Sequence, residues 1–187
     1  MIKTKVDLKR YLLADKKALG YESLSRPSLL GHDIWKFQII LRKLEYYTNN
    51  QSLYNTPIRL LYKYRYKKAS FKLGFTVPIN VFGAGLNIPH HGTIVVNSRS
   101  RVGENCRIHT STNIGGTGDA VPIIGNDVYI GPGAKIFGGI TIADGVSIGA
   151  NSVVNKSVTE KGATVAGVPA KIINKRSFVD QQKEAIT

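Results

Sequence analysis

Acidic residues are scarce in this chain: 12 Asp and Glu stand against 26 Lys and Arg, a formal net charge of +14 at pH 7. Cysteine is almost missing. Cys106 is the only one, which excludes an internal disulfide and any Cys-rich metal spacing and suits a reducing compartment. Long apolar runs are absent as well. None approaches 18 residues, and Met1-Ile2-Lys3 leads into a polar helix rather than a signal peptide. The expectation is a cytoplasmic protein without a spanning helix.

The shortage of acid is local. Residues 1–75 hold 16 Lys and Arg against 5 Asp and Glu, whereas residues 76–187 hold 10 against 7. The basic part, residues 1–74, reads as helical. Thr4 with Asp7 forms a capping-box pattern for a first helix that stops near Gly20. Asp33 is placed to cap a second, with an apolar stripe of Ile34, Phe37, Leu41 and Leu44. Thr56-Pro57 opens a third, which Gly74 ends. That third helix interleaves Tyr62, Tyr64, Tyr66 and Phe71 with Lys63, Arg65, Lys67, Lys68 and Lys72. Two readings stand: an amphipathic helix packed on the remaining domain, or a contact with an anionic membrane surface at the inner face of the cell membrane. Nucleic acid is not expected, because no base-reading motif accompanies the charge.

Residues 75–170 follow a different rule. An aliphatic residue recurs every sixth position through Ile124, Ile130, Ile136, Ile142, Ile148 and Val154, and upstream through Val96, Val102, Ile108 and Ile114. A period of six fits neither a helix nor a two-sided strand. It fits a coil of short straight faces, each burying one side chain, with three faces and about 18 residues per turn. The expected fold is therefore mainly β: a parallel β-helix of hexapeptide repeats behind an N-terminal α-helical segment, with residues 171–187 as a tail. Ile124 should stack on Ile142, and Ile130 on Ile148. The step from Ile114 to Ile124 is ten residues, so four extra residues must leave the coil in the Gly115–Asp119 stretch.

Three of the four histidines lie in the coil. His90 and His109 are nineteen residues apart, about one turn, so they should share a face. Two imidazoles on one face of an apolar coil point to a site. Neutral imidazole, with an ordinary pKa near 6.5, is a base matched to neutral pH. Cys106 is not expected to carry an acyl group, since its slot points to a corner of the core.

The segments Asn87-Ile88-Pro89-His90-His91-Gly92-Thr93-Ile94-Val95-Val96, Asn113-Ile114-Gly115-Gly116-Thr117-Gly118, Ile130-Gly131-Pro132-Gly133-Ala134-Lys135-Ile136 and Ala166-Gly167-Val168-Pro169-Ala170-Lys171 together resemble the hexapeptide-repeat acyltransferases. The closest branches are the serine O-acetyltransferases and the O-acetyltransferases of polysaccharide clusters. That resemblance implies a left-handed parallel β-helix, a homotrimer with active sites between subunits, and acetyl-CoA as co-substrate without a metal. It places the catalytic histidine on His90, with His109 as a second candidate. It places CoA contacts on Ala134, Ala150, Lys156 and Lys171.

Departures from the resemblance bear on the acceptor. Serine acetyltransferases carry an Asp-x-His-Pro segment where this chain has Phe75-Thr76-Val77-Pro78. They also carry an Arg-His pair in the loop after Gly-Gly-Thr-Gly, where it has Asp119-Ala120-Val121-Pro122. Those absences favour a sugar hydroxyl in capsule or exopolysaccharide synthesis as the acceptor, with L-serine as the alternative. A metal hydratase resembling the γ-type carbonic anhydrases, using His90, His91 and His109, and a non-catalytic scaffold are remoter expectations.

Overall fold

In the computed structural model, which describes residues 1–176, the six-residue period becomes a left-handed parallel β-helix of about five turns preceded by three helices. The helices are α1 (Lys5–Ala18), α2 (Asp33–Asn49) and α3 (Thr56–Leu73). Three parallel faces follow. The first face stacks β1 (Phe75–Thr76), β2 (Ile94–Val96), β5 (Thr112–Gly115), β8 (Lys135–Phe137) and β11 (Val153–Val154). The second stacks β3 (Arg101–Val102), β6 (Ile123–Ile124) and β9 (Thr141–Ile142). The third stacks β4 (Arg107–Ile108), β7 (Tyr129–Ile130), β10 (Ser147–Ile148) and β12 (Thr164–Gly167). It ends with β13 (Ala170–Asn174), which folds back antiparallel on β12.

The core columns are those the period demands. Val102, Ile124 and Ile142 are in register on the second face, and Ile108, Ile130 and Ile148 on the third. Val96, Ile114, Ile136 and Val154 stack on the first. Nearly all are excluded from water, as is Cys106, whose thiol burial pushes up to about 12. A thiol so placed stays protonated at neutral pH and cannot act as a nucleophile. The four extra residues leave as a small hairpin in which Thr117 and Ala120 exchange backbone hydrogen bonds of 2.9 and 3.1 Å. Gly118 at its tip has a positive φ of 59°.

The corners are close-packed. A Cβ on Gly131 would meet the Ala150 nitrogen and the Ile148 oxygen at 2.8 Å, both backbone atoms of the next turn. Gly131→Ala is therefore expected to cost about 1–3 kcal/mol by overpacking. Thermal unfolding measures this, and an unchanged midpoint would mean the turns are spaced more widely than described.

At the N-terminus the Thr4–Asp7 capping box is present, with both reciprocal bonds formed. Asp33 does not cap α2. His32 occupies the cap position in the left-handed region, so Asp33 becomes the first helical residue and pairs with Lys72 at 2.7 Å. The open end of the coil is covered mainly by α2, whose Phe37 packs edge-on against Phe75 with ring centres 5.2 Å apart. Helix α3 packs outside α2 through Tyr66 on Phe37 and Tyr62 on Tyr47. It reaches the coil through Leu73 and through the Tyr66 hydroxyl, which donates to the Val77 carbonyl at 2.7 Å.

The helices are pinned to the coil by a charged group that amphipathic patterning does not reveal. Arg42 on α2 is fully buried. Its Nε donates to Asp15 at 2.7 Å, and Nη1 donates to Glu45 at 3.0 Å and to the Phe82 carbonyl at 3.0 Å. Nη2 donates to Asp15 at 3.2 Å and to the Gly83 carbonyl at 2.6 Å, so every N–H of the guanidinium is engaged. Burial alone would lower its pKa, but the adjacent Asp15 and Glu45 carboxylates more than reverse that. No helix among the described residues is long and apolar enough to cross a membrane. Of the expected tail, residues 177–187 lie outside the described residues.

Candidate active site

The corner between the third and first faces carries the histidines. His90 lies between Asn87, which bridges to Arg107 on the third face, and β2 on the first. His109 follows β4 directly, and the two rings lie 6.0 Å apart. The shared face expected from their spacing is therefore present. His90 is exposed, and His109 is half-buried between His90 and Tyr129, whose ring centre is 5.2 Å from its own.

The two imidazoles are not equivalent. Arg107 Nε donates to His109 Nε2 at 3.3 Å, which leaves the proton of a neutral ring on Nδ1. Burial holds the His109 pKa below its ordinary value, and the Arg107 and His90 charges add to the effect. His109 is thus kept neutral, with its Nε2 lone pair already engaged. His91 faces elsewhere: it acts electrostatically on Asp33 at the start of α2, whose carboxyl is held low chiefly by the hydrogen bond from Lys72. His91 therefore does not join His90 and His109 as a three-histidine metal site would require. Among the described residues no group of three or more His, Cys, Asp or Glu side chains could hold a metal ion. The fourth histidine, His32, accepts from the Ser28 N–H at 3.0 Å and packs on Tyr21 and Trp35, a structural role.

Below the histidines the same corner runs on through small residues. The Asn151 N–H donates to the Pro132 carbonyl at 2.8 Å, which puts Pro132 and Ala150, both exposed, one above the other. Ala134 is not part of this line. Its methyl is fully buried, its N–H donates to Gly131 at 3.3 Å and its carbonyl accepts from Asn113 at 3.0 Å. It therefore offers a ligand neither surface nor a free polar group. The exposed residue in register with Ala150 is Pro132, two positions before Ala134. At the foot of the corner β12 turns into β13, where Lys171 pairs with Ala166 and is exposed.

Lys156 is elsewhere. It follows β11 and precedes Val158, which bridges to Ile142 on the second face. Lys156 therefore sits at the corner between the first and second faces. The Thr117–Ala120 hairpin belongs to that same corner, where Ala120 lies against Gly139 and Arg99 holds the Gly118 carbonyl and the Asp119 carboxylate. The residues expected to act together thus fall on two corners of one coil. Beside the histidine corner, between α1 and the third face, runs a cleft of about 530 Å³ whose polar lining includes Lys17, Asn87, Asn105, Arg107, Asp127 and Tyr129.

Comparison with known proteins places the coil among transferases. Residues 122–156 match the model described as bacterial transferase hexapeptide (six repeats). The chain is 33% identical over 150 residues to a serine acetyltransferase of Buchnera aphidicola subsp. Acyrthosiphon pisum, covering 75% of this chain and 54% of that one. It is 42% identical over 95 residues to the serine acetyltransferase of Staphylococcus xylosus, covering 49% and 44%. The chain thus spans about half the length of the curated relatives it matches. Among solved structures, serine acetyltransferase from Brucella abortus strain S19 in complex with coenzyme A aligns with TM-score 0.69 and 30% identity, covering 92% of this chain and 70% of that one.

Proposed function

The chain belongs to the bacterial hexapeptide-repeat transferases, and from that premise we propose that it moves an acetyl group from acetyl-CoA to a hydroxyl, with L-serine as the acceptor. The observation that carries the reading is the continuous corner that begins at His90 and His109, passes the exposed small residues Pro132 and Ala150, and ends at Lys171. Four steps between neighbouring strands at about 4.8 Å make this line about 19 Å long. It offers a base at one end, a flat bed for an extended amide arm, and a cation for a phosphate at the other.

His90 is the general base. A hydroxyl is a poor nucleophile while protonated. His90 takes its proton as the oxygen attacks the thioester carbonyl, then returns a proton to the departing CoA thiolate. His109 does not serve as the base, because Arg107 already occupies its Nε2; it supports the His90 ring from the next turn. Lys171 attracts a CoA phosphate.

The active site lies between subunits of a homotrimer. Lys156 and the Thr117–Ala120 hairpin are on the other corner of the first face, so they meet a histidine corner only from a neighbouring copy. Joining unlike corners head to tail is a heterologous contact, which closes as a ring. That these relatives are serine acetyltransferases supports L-serine ahead of the polysaccharide acceptor expected from the sequence.

A sugar hydroxyl remains the second reading, on one observation. Phe75 fills the position of the aspartate expected in serine acetyltransferases and is buried against Phe37, so no carboxylate can orient His90 from there. The experiment is CoA release followed by a thiol-reactive dye, with acetyl-CoA and an acceptor panel of L-serine, nucleotide sugars and short acidic glycans. Release with serine is expected. Release only with a sugar moves the acceptor to the second reading, and release with none, at full stability, overturns the acetyltransferase reading.

A further inference from the structure

We propose that the outward face of α3 docks on an anionic lipid bilayer, because a stripe of exposed Leu60, Tyr64 and Phe71 lies between two rows of cations on a helix without a single acidic residue.

Helix α3 has two apolar faces. At about 100° per residue, Tyr62, Tyr66 and Leu73 fall within about 40° of one another. They are the side turned toward α2 and the coil. Leu60, Tyr64 and Phe71 fall within about 40° of one another on the opposite side. They are 56%, 65% and 92% exposed. Leu61, also exposed, lies among the cations beside this stripe, and the exposed Leu53 and Tyr54 lead into the helix. An ordinary surface helix buries one stripe and charges the other side. The second stripe here is unexplained by the fold.

The charges frame the stripe. Lys63 and Lys67 border it on one side, with Arg59 beyond them, and Lys68, Lys72 and Arg65 on the other. Lys72 is paired to Asp33, and Arg65 lies over the Tyr62 ring at 5.8 Å, while Lys63, Lys67 and Lys68 are exposed. Flexible cations flanking a Leu, Tyr and Phe stripe match an anionic headgroup layer over acyl chains: the ammonium groups meet phosphate while the apolar side chains enter the boundary. A second copy is the poorer occupant, since it would press six cations of one helix against six of another.

The test uses the full chain in flotation with phosphatidylcholine vesicles and with vesicles that also contain phosphatidylglycerol. Binding is expected only to the anionic vesicles and should fall as salt rises, following the Debye length. Leu60→Ser with Phe71→Ser should lower vesicle affinity by about tenfold or more, because two apolar side chains lose their burial. Lys67→Glu with Lys68→Glu should lower it by roughly fivefold for each unit of charge changed. Both variants alter only exposed side chains, so melting temperature and CoA release should be unchanged. Failure of the parent chain to float with anionic vesicles overturns the proposal, as does equal flotation of the Leu60→Ser/Phe71→Ser variant. A changed oligomeric state in that variant would assign the stripe to a second copy instead.

Discussion

Replacing His90 by alanine should lower acetyl transfer by about 10²- to 10⁴-fold, the usual contribution of a positioned general base. The loss should be confined to the chemical step. His90 is exposed and its ring lies beside the His109 ring, so the melting temperature, the oligomeric state and the affinity for CoA should all stay as they are. His109→Ala should cost less, because its Nε2 is held by Arg107 and is not free to take a proton. The pH dependence separates the two. Burial, aided by Arg107 and His90, keeps the His109 pKa below 6.5. Its neutral form therefore persists as pH falls past that value, so protonation of His109 should not be what removes activity there. Steady-state assays of both variants across pH decide the matter. Ordinary turnover in His90→Ala would end the mechanism, and equal losses in the two variants would make the pair a single unit.

The largest effect on stability is expected at Arg42. Arg42→Met fills most of the same volume but leaves the Asp15 and Glu45 carboxylates buried without their cation. Removing one partner of such a cluster costs about 3–5 kcal/mol, a large share of a typical total of about 5–15 kcal/mol. Asp15 Oδ1 also accepts from the Gly85 and Leu86 N–H groups at 2.9 Å, and Glu45 Oε1 from the Asn80 N–H at 2.8 Å. These bonds fasten α1 and α2 to the first turn of the coil. Arg42→Lys should fall in between, because three ammonium donors cannot replace five in a planar fork. Urea unfolding followed by circular dichroism measures the loss. If Arg42→Met unfolds at the parent's urea concentration, the cluster is incidental to stability.

The coil could be read from the sequence because its information is periodic. Each inward slot repeats the demand of the one before, so Ile124, Ile130 and Ile136 announce their partners by spacing alone. The Thr117–Ala120 hairpin could be read as the interruption of that period. The Arg42 cluster could not. Apart from Glu45, three residues on, its partners lie 27 to 41 residues away, and an arginine in an amphipathic helix ordinarily reaches solvent. The site was legible in part. His90 and His109 stand one turn apart, as spacing required, but register separates Ala134 from Ala150 and pairs Pro132 with it instead. The corner that carries Lys156 was not legible, because position along the chain does not say at which corner of a three-sided coil a residue falls. Likewise, interleaved aromatic and basic residues on α3 could not show which of its two stripes faces water.

The hairpin at Thr117–Ala120 leaves and rejoins the coil without disturbing the stack: Ile114 still sits on Ile136, and Val102 on Ile124. The coil therefore tolerates a change of length there as a garment tolerates a longer cuff. Doubling such a loop costs only about 0.6 kcal/mol in closure entropy, and none of the columns must move. Selection can rewrite this segment at almost no risk to folding. If a neighbouring copy's hairpin faces the histidines, recognition of the acceptor and integrity of the scaffold can evolve separately within one chain.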